Sequence, residues 1–462
     1  MSTKRHPITR LLQHYLQIDE YDASKIVFSA ITLFCIIGSY SMLRSLKTSV
    51  FLGFVGREYE PYAKVFSILI MIPVMLFYAK ILDRLKRYHT VYFFMGFYAV
   101  ACLVFAYYFA HPVYGVQNTQ TSPYRLVGWL FEFFMDLFQA LVLGTYWSFI
   151  NSISTPIFAG RGYPLIVAAS RVGGILTTLA GWFIMEWSGL NGCISIPLLT
   201  ASNSILLLIA IYCTYRMQVG IPEDKMHGYE AAYQVEQKVE RSKKSAGVFE
   251  GLRLMLTEPY VLGIFGLVFS YEIINIIFDY QMHVLMSIET NNQVHAMTSY
   301  MLFYTGSWQT LSFFFALFGA TKLASMIGIN RGLLIMPIVA ILLAILPLLS
   351  PTFLTIFIVM VIMRALNYGI NHPLREMLFI PTVKDIKFKS KAWIDSFGRT
   401  LSKTTGSTLN ILSLSQSPYL LLAMQSLFAC SVALVWVFIA VWVGKIYSKT
   451  LKNNAVIGQK GT

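Results

Sequence analysis

PLREMLFIPTVKDIKFKSKAWIDSFGRTLSKTTGS, residues 373–407, is a dense run of charge inside a chain that is otherwise overwhelmingly apolar. Its first half, through Lys391, reads as a short polar connection rich in basic residues. Its second half sets Asp395, Arg399 and Lys403 at successive i, i+4 steps, near one face of a helix. That helix is expected to continue through Thr404–Ser413 without further charge. If the segment enters a bilayer, three ionisable groups on one face cannot look at lipid and must line a protein-enclosed aqueous path. The rest of the chain makes a bilayer the natural setting. Of 462 residues, 56% are hydrophobic, 15% aromatic and only 13% charged, and the mean hydropathy is +0.61. Soluble globular chains carry about a quarter of charged residues, so the composition excludes that class and predicts an all-α polytopic membrane protein.

With about 20 apolar residues needed to cross the hydrocarbon core, about twelve spans are expected. The first six are Lys25–Met42, Ala63–Leu82, Val91–Phe109, Leu126–Ile150, Tyr163–Trp187 and Ile194–Tyr215. A polar, basic linker follows at 216–258, with an amphipathic helix expected near Tyr229–Arg241. The pattern resumes at Tyr260–Val284, Thr298–Leu323, Gly332–Leu349 and Thr352–Tyr368, then the opening stretch, then Pro418–Tyr447. The expected organisation is therefore an N-terminal arm (1–24), a six-helix bundle (25–215), the linker (216–258), a second six-helix bundle (259–447) and a tail (448–462).

Loop charge sets the orientation. The N-terminal arm, DRLKRYH (83–89), the linker, Lys322–Arg331, Lys384–Lys391 and the tail are rich in Lys and Arg. The alternate connections EWSGLNG, MSIETNNQVHAMT, LLSPTF and SLSQSP have none. Both termini are expected in the cytoplasm, and Arg57, Lys64 and Arg125 are the exceptions on the far side. The net charge of +14 is thus topogenic, and no nucleic-acid partner is expected. The N-terminal arm is too polar, and runs too far before the first apolar span, to read as a cleavable signal. Cys35, Cys102, Cys193, Cys213 and Cys430 show neither CxxC nor a His/Cys metal spacing and read as small packing residues. No P-loop, HExxH or GxSxG motif is present, so enzyme chemistry, a metal and a cofactor are not expected.

Ionisable residues inside spans cost a few kcal/mol each on insertion scales and mark function. The first span ends with Arg44 and Lys47, the fourth carries Glu132 and Asp136, and the fifth carries Arg171 beside Gly173 and Gly174. The seventh carries Glu272, Asp279 and His283, and the tenth ends in Arg364. Arg44 and Arg364 are long enough to snorkel to the interface, and Glu132 is a candidate structural partner for Arg171. Lys47, Asp279 and Lys403 share faces with other polar groups: Ser41 and Ser45, Asn275, and Thr400, Thr404 and Ser407 respectively. The surplus of Lys and Arg suits an anionic substrate, and phosphate is the natural match. Tyr40, Tyr146, Trp147, Tyr271 and Phe278 are candidates to stack a base, a weak signal in so aromatic a chain.

AKILDRLKRYH (79–89) resembles the cytoplasmic loop signature of the major facilitator superfamily, and TKLASMIGINR (321–331) resembles a degraded copy lacking the acid. With the six-plus-six layout this implies a facilitator-like fold of two six-helix bundles. The segment NYGINHPLREMLFIPTVKDIKFKSKAWIDSFGRTLSKTTGS resembles the signature of the nucleotide transporters typified by the ATP/ADP carriers of plastids and intracellular bacteria. LRSLKTSVF, YWSFIN and EPYVLGIFGLVFSYEIINIIFDYQMH extend the likeness over most of the spans. The resemblance implies exchange of nucleotides, commonly cytosolic ATP for ADP plus phosphate, across a membrane; ATP/ADP antiport by alternating access, a bacterial inner membrane and a monomer are expected. It maps that family's critical residues onto Lys47, Asp279 and Lys403. The acid of its fourth span falls on Met135, with Asp136 adjacent, and its Trp and Lys after the seventh-span acid appear as Met282 and His283. On the charges alone Arg171 and Arg399 join Lys47 and Lys403 as phosphate contacts, while Asp136, Asp279, Glu132 and His283 serve pairing and coupling. A proton-coupled transporter of another nucleotide or organic anion, and more remotely a membrane-embedded transferase, remain the alternatives.

Overall fold

The computed structural model describes residues 18–84, 87–222, 225–226, 250–318, 320–383, 386, 390–453 and 455–458. In chain order its helices are α1 (Glu20–Phe54), α2 (Glu60–Arg84), α3 (Arg87–Ala110), α4 (Leu126–Ile153), α5 (Pro156–Trp187) and α6 (Gly192–Gly220). A short α7 (Glu250–Thr257) precedes α8 (Pro259–Glu289), α9 (Val294–Phe318), α10 (Ala320–Leu349), α11 (Phe353–Met377), α12 (Arg399–Leu412) and α13 (Pro418–Lys452). The expected spans fall on these helices, except that Thr298–Leu323 runs from α9 into the start of α10 and the 373–407 stretch runs from the end of α11 into α12. Among the described residues nine helices are long and apolar enough to cross a membrane. The amphipathic helix expected at 229–241, most of the Lys384–Lys391 cluster and the side chains of 82–87 lie outside the described residues.

Helix is the form these apolar runs must take, because lipid offers no partner to a backbone N–H or C=O. The starts carry ordinary signals. Asp19 caps α1, Thr155 and Ser417 cap α5 and α13, and proline occupies the first turn of α5, α8 and α13. Large apolar side chains point outward, among them Leu69 at 63%, Phe183 at 57% and Phe438 at 73% exposure. A surface of that kind is stable only against lipid.

Two helices depart from regularity beside charged residues. A π turn at Gln139–Gly144 interrupts α4 three residues after Asp136, and another at Asn367–Asn371 interrupts α11 three residues after Arg364. A third, Ile394–Gly398, lies ahead of α12. Asp395 lies within it and Arg399 directly after it, at the start of α12. Gly328, at φ +77°, makes the corner that separates the connecting turn from the apolar part of α10. After α11, Val383 donates to the Ile457 carbonyl and Ile457 to that of Pro381, so the tail is clipped to the connection that opens the 373–407 stretch.

The chain groups into two compact units. One comprises Met1–Gly56, Leu69–Lys244 and Gln293–Gly306; the other comprises Arg57–Ile68, Ser245–Asn292 and Ser307–Thr462. The sequential bundles expected from hydropathy thus exchange two helix starts. The start of α9 joins the first unit through hydroxyls: Ser45 bonds Thr305 at 2.9 Å and the Met301 carbonyl at 3.2 Å, and Ser49 bonds Thr298 at 2.6 Å. The start of α2 joins the second through ions, described below.

Within the first unit α1 and α5 approach closely through small residues, as helices in lipid commonly do. Thr177 donates to the Gly38 carbonyl at 3.0 Å, and a Cβ on Gly173 would meet the Phe34 backbone. In the second unit Gly406 of α12 lies on Ile276 of α8, and Gln281 of α8 reaches Ser426 of α13. Gly173→Val should therefore force α1 and α5 apart and cost about 1–3 kcal/mol, read as a lower melting temperature of the purified protein. Gly96→Ala, whose Cβ would meet nothing within 4 Å, should leave melting unchanged; equal losses in both variants would refute the close packing.

Candidate functional site

In the first unit, Lys47 of α1 is held by both acids of α4. Its Nζ lies 2.8 Å from Glu132 Oε1 and 2.8 Å from Asp136 Oδ1. Glu132 and Asp136 are one turn apart on α4, so a single ammonium serves both carboxylates. Glu132 is deeply buried, Lys47 is 15% exposed and Asp136 27%. Met135 is buried in apolar packing, and Asp136 is the side chain that reaches Lys47. Arg171 stands half-buried on α5, whereas the ammonium at Glu132 is that of Lys47.

The second unit repeats this joint with its polarity reversed. Asp279 of α8 pairs with Arg364 of α11 at 2.8 Å. Counting six helices to each repeat, Lys47 and Asp279 sit on the first helix of theirs, and Asp136 and Arg364 on the fourth. The fourth helix has a π turn three residues on in both cases. Arg364 is 5% exposed, which corrects the expectation that it snorkels: its guanidinium has an acid to meet inside. Around this pair Lys64 lies 2.6 Å from Glu60 and 4.0 Å from Asp279, and His283 lies 2.8 Å from Glu60.

The opening stretch forms a third charged group. Arg399 contacts Asp395 at 3.3 Å and Glu272 of α8 at 3.9 Å. Arg375, 4% exposed, is within electrostatic reach of Arg399, Asp395, Glu272 and Glu376. Glu376 itself pairs with Lys391. Lys403 is exposed on α12, whereas Ser402, Gly406 and Ser407 are buried.

The aromatic candidates separate clearly. Tyr146 is 1% exposed with its hydroxyl on the Ser29 carbonyl, and Tyr271 is 3% exposed, bonded to Asn275 and set edge-on to Trp436. Both are core rings, which corrects their assignment as base-stacking faces. Tyr40 is half-buried and stacks on Phe138 at 5.8 Å.

Sequence reading passed over Glu60 and counted Lys64 only as a loop exception, although their i, i+4 spacing at a helix start is a legible pair. The three cations that stand as exceptions to the loop pattern all have partners. Lys64 has Glu60, and Arg57 donates to Ser287. Arg125 donates to the carbonyls of Tyr114, Gly115, Asn118 and Gln120 and covers the Phe54 ring at 3.6 Å. Burial pulls its guanidinium down to about 10, so it stays charged at neutral pH. Among the described residues no group of three His, Cys, Asp or Glu is placed to hold a metal ion.

Known proteins share both the sequence pattern and the fold. ADP,ATP carrier protein 4 of Rickettsia typhi is 24% identical over 522 residues, covering 99% of each chain. ADP,ATP carrier protein 1 of Rickettsia prowazekii is 24% identical over 496 residues, 95% of this chain and 96% of that one. The fold resembles the inward-open xylose transporter XylE from E. coli, with TM-score 0.61 at 13% identity over 92% of this chain and 96% of that one. It also resembles the nucleoside transporter NupG, with TM-score 0.58 at 14% identity over 92% and 99%. These likenesses establish a facilitator-like transporter fold. The model of the TLC ATP/ADP transporter family matches residues 1–452, and with that match over nearly its whole length the chain belongs to this family.

Proposed function

We propose that this protein is a secondary transporter that exchanges nucleotides, ATP against ADP, across a bacterial inner membrane. The observation that carries the reading furthest is Lys47 held by Glu132 and Asp136 at 2.8 Å each. A cation kept inside a membrane by two acids is already neutralised and exchangeable. Phosphate oxygens offer it charge-assisted bonds of the same kind, and the acids gain or lose their ammonium as substrate leaves or arrives. Lys403, exposed on α12, and the guanidiniums of Arg399 and Arg171 supply further phosphate contacts. Asp279 is neutralised by Arg364, and His283 lies against Glu60, so this cluster belongs to coupling. The basic loops support cytoplasmic termini, the Rickettsia relatives support a bacterial inner membrane, and a monomer is sufficient for alternating access.

Each phosphate contact is a charge-assisted bond, worth about 1.5–3 kcal/mol and thus about tenfold or more in rate. Lys403→Ala should lower ATP uptake into ADP-loaded proteoliposomes by at least that factor while the protein still inserts; unchanged uptake removes Lys403 from the site. Offering labelled ATP, GTP, CTP, UTP and NAD in turn to ADP-loaded vesicles tests the substrate itself, and accumulation independent of internal ADP would refute antiport. Lys47→Met removes the ammonium shared by two acids and should cost about 3 kcal/mol of stability along with uptake. Adding Glu132→Gln should recover melting temperature without recovering uptake; recovery of both would make Lys47 structural only.

A further inference from the structure

His283 lies on α8 one turn beyond Asp279, 2% exposed, with both ring nitrogens turned toward acids. Nδ1 is 2.8 Å from Glu60 Oε1. Nε2 is buried without a hydrogen-bond partner and lies 3.9 Å from Asp279 Oδ1. The charged groups facing the ring come from three further segments. Glu60 and Lys64 belong to the start of α2, Arg364 to α11, and Arg57 to the turn before α2, where it bonds Ser287. Tyr280 neighbours Glu60 from α8 itself, and α12 and α13 meet this stretch with the neutral groups of Asn410, Leu422 and Ser426.

The charge count gives the ring its meaning. Glu60, Asp279 and the more distant Glu58 are balanced by Lys64, Arg364 and Arg57, so a neutral imidazole leaves the cluster uncharged. A neutral ring donates through one nitrogen only. Donating to Glu60, it turns a buried lone pair toward the Asp279 carboxylate, which is repulsive and leaves Nε2 unbonded. A second proton converts that nitrogen into a donor facing Asp279 and makes the Glu60 contact a charge-assisted bond. Histidine is the side chain whose charge changes near neutral pH.

We propose that His283 is a proton-binding site of this carrier, whose second proton tightens the hold of the start of α2 on α8. Chain connectivity gives that hold its consequence: α2 passes from one compact unit to the other between Ile68 and Leu69, and Glu60 and Lys64 anchor the part before the crossing. Any motion that parts this segment from α8 must break the ion pairs first. Resting on the transport reading, the rate of nucleotide exchange then depends on pH through this ring.

Two measurements separate the parts. The first is thermal unfolding of the purified protein in detergent between about pH 5.5 and 8, the range over which histidine changes charge. A proton held by the folded cluster contributes stability at low pH that is lost as pH rises. The melting difference between wild type and His283→Gln should widen as pH falls, and His283→Lys, a permanent cation, should not show that dependence. A constant difference overturns the proton site, whatever exchange does. If His283→Gln does not insert, Glu60→Gln serves the same comparison, because it removes the carboxylate facing Nδ1. The second measurement is exchange of labelled ATP for internal ADP, with equal pH on both sides of the vesicle. Wild type should change roughly threefold to tenfold over that range, the effect of gaining one ion pair in a protein interior, and His283→Lys should be flattened. Matching pH profiles in wild type and variant overturn the coupling. Absence of exchange at every pH overturns the nucleotide reading instead and leaves the unfolding comparison to decide the ring.

Discussion

An ion pair joins α1 to α4 in one unit and α8 to α11 in the other, and much of the polar interior is arranged around these pairs. A charge carried into a membrane protein must meet its opposite inside. In the first repeat the cation is on the first helix, as Lys47, and the acids are on the fourth; in the second the acid is on the first helix, as Asp279, and the cation on the fourth, as Arg364. The second joint pairs one cation with one acid, whereas in the first a single ammonium serves two carboxylates. A π turn beginning three residues beyond the paired group appears in both fourth helices, and such turns often accompany functional positions.

The two exchanged helix starts are held by different chemistry. At the start of α9 the bonds to Ser45 and Ser49 are between neutral hydroxyls, each worth about 1 kcal/mol or less in a membrane interior and indifferent to pH. At the start of α2 the hold is ionic, through Glu60, Lys64 and Asp279, with one imidazole among them. Only the second kind can be strengthened by a proton.

Much of the fold was legible in the chain, for a simple reason. Whether about 20 residues prefer hydrocarbon to water depends on those residues alone, so the nine long apolar helices among the described residues fell where hydropathy put them. The charged residues of the interior were equally visible, because each interrupts an apolar run. The aromatics were not: Tyr146 and Tyr271 differ from Tyr40 only in what packs over them. Likewise only the packing shows that Asp136, one residue from Met135, is the side chain that meets Lys47.

The sequence by itself determined the helices, their order, the basic loops, the interior charges and, through the 373–407 stretch and its companions, the family. The tertiary structure decided the partners. Lys47 meets an acid 89 residues away, Arg364 one 85 residues away, and His283 one 223 residues away. Pairing at those separations follows from how helices pack, which no local window contains. The opening stretch shows both sides: its charge was plain from composition, whereas the π turn that pairs Arg399 with Asp395 and leaves Lys403 exposed arises only when the segment is packed against α8.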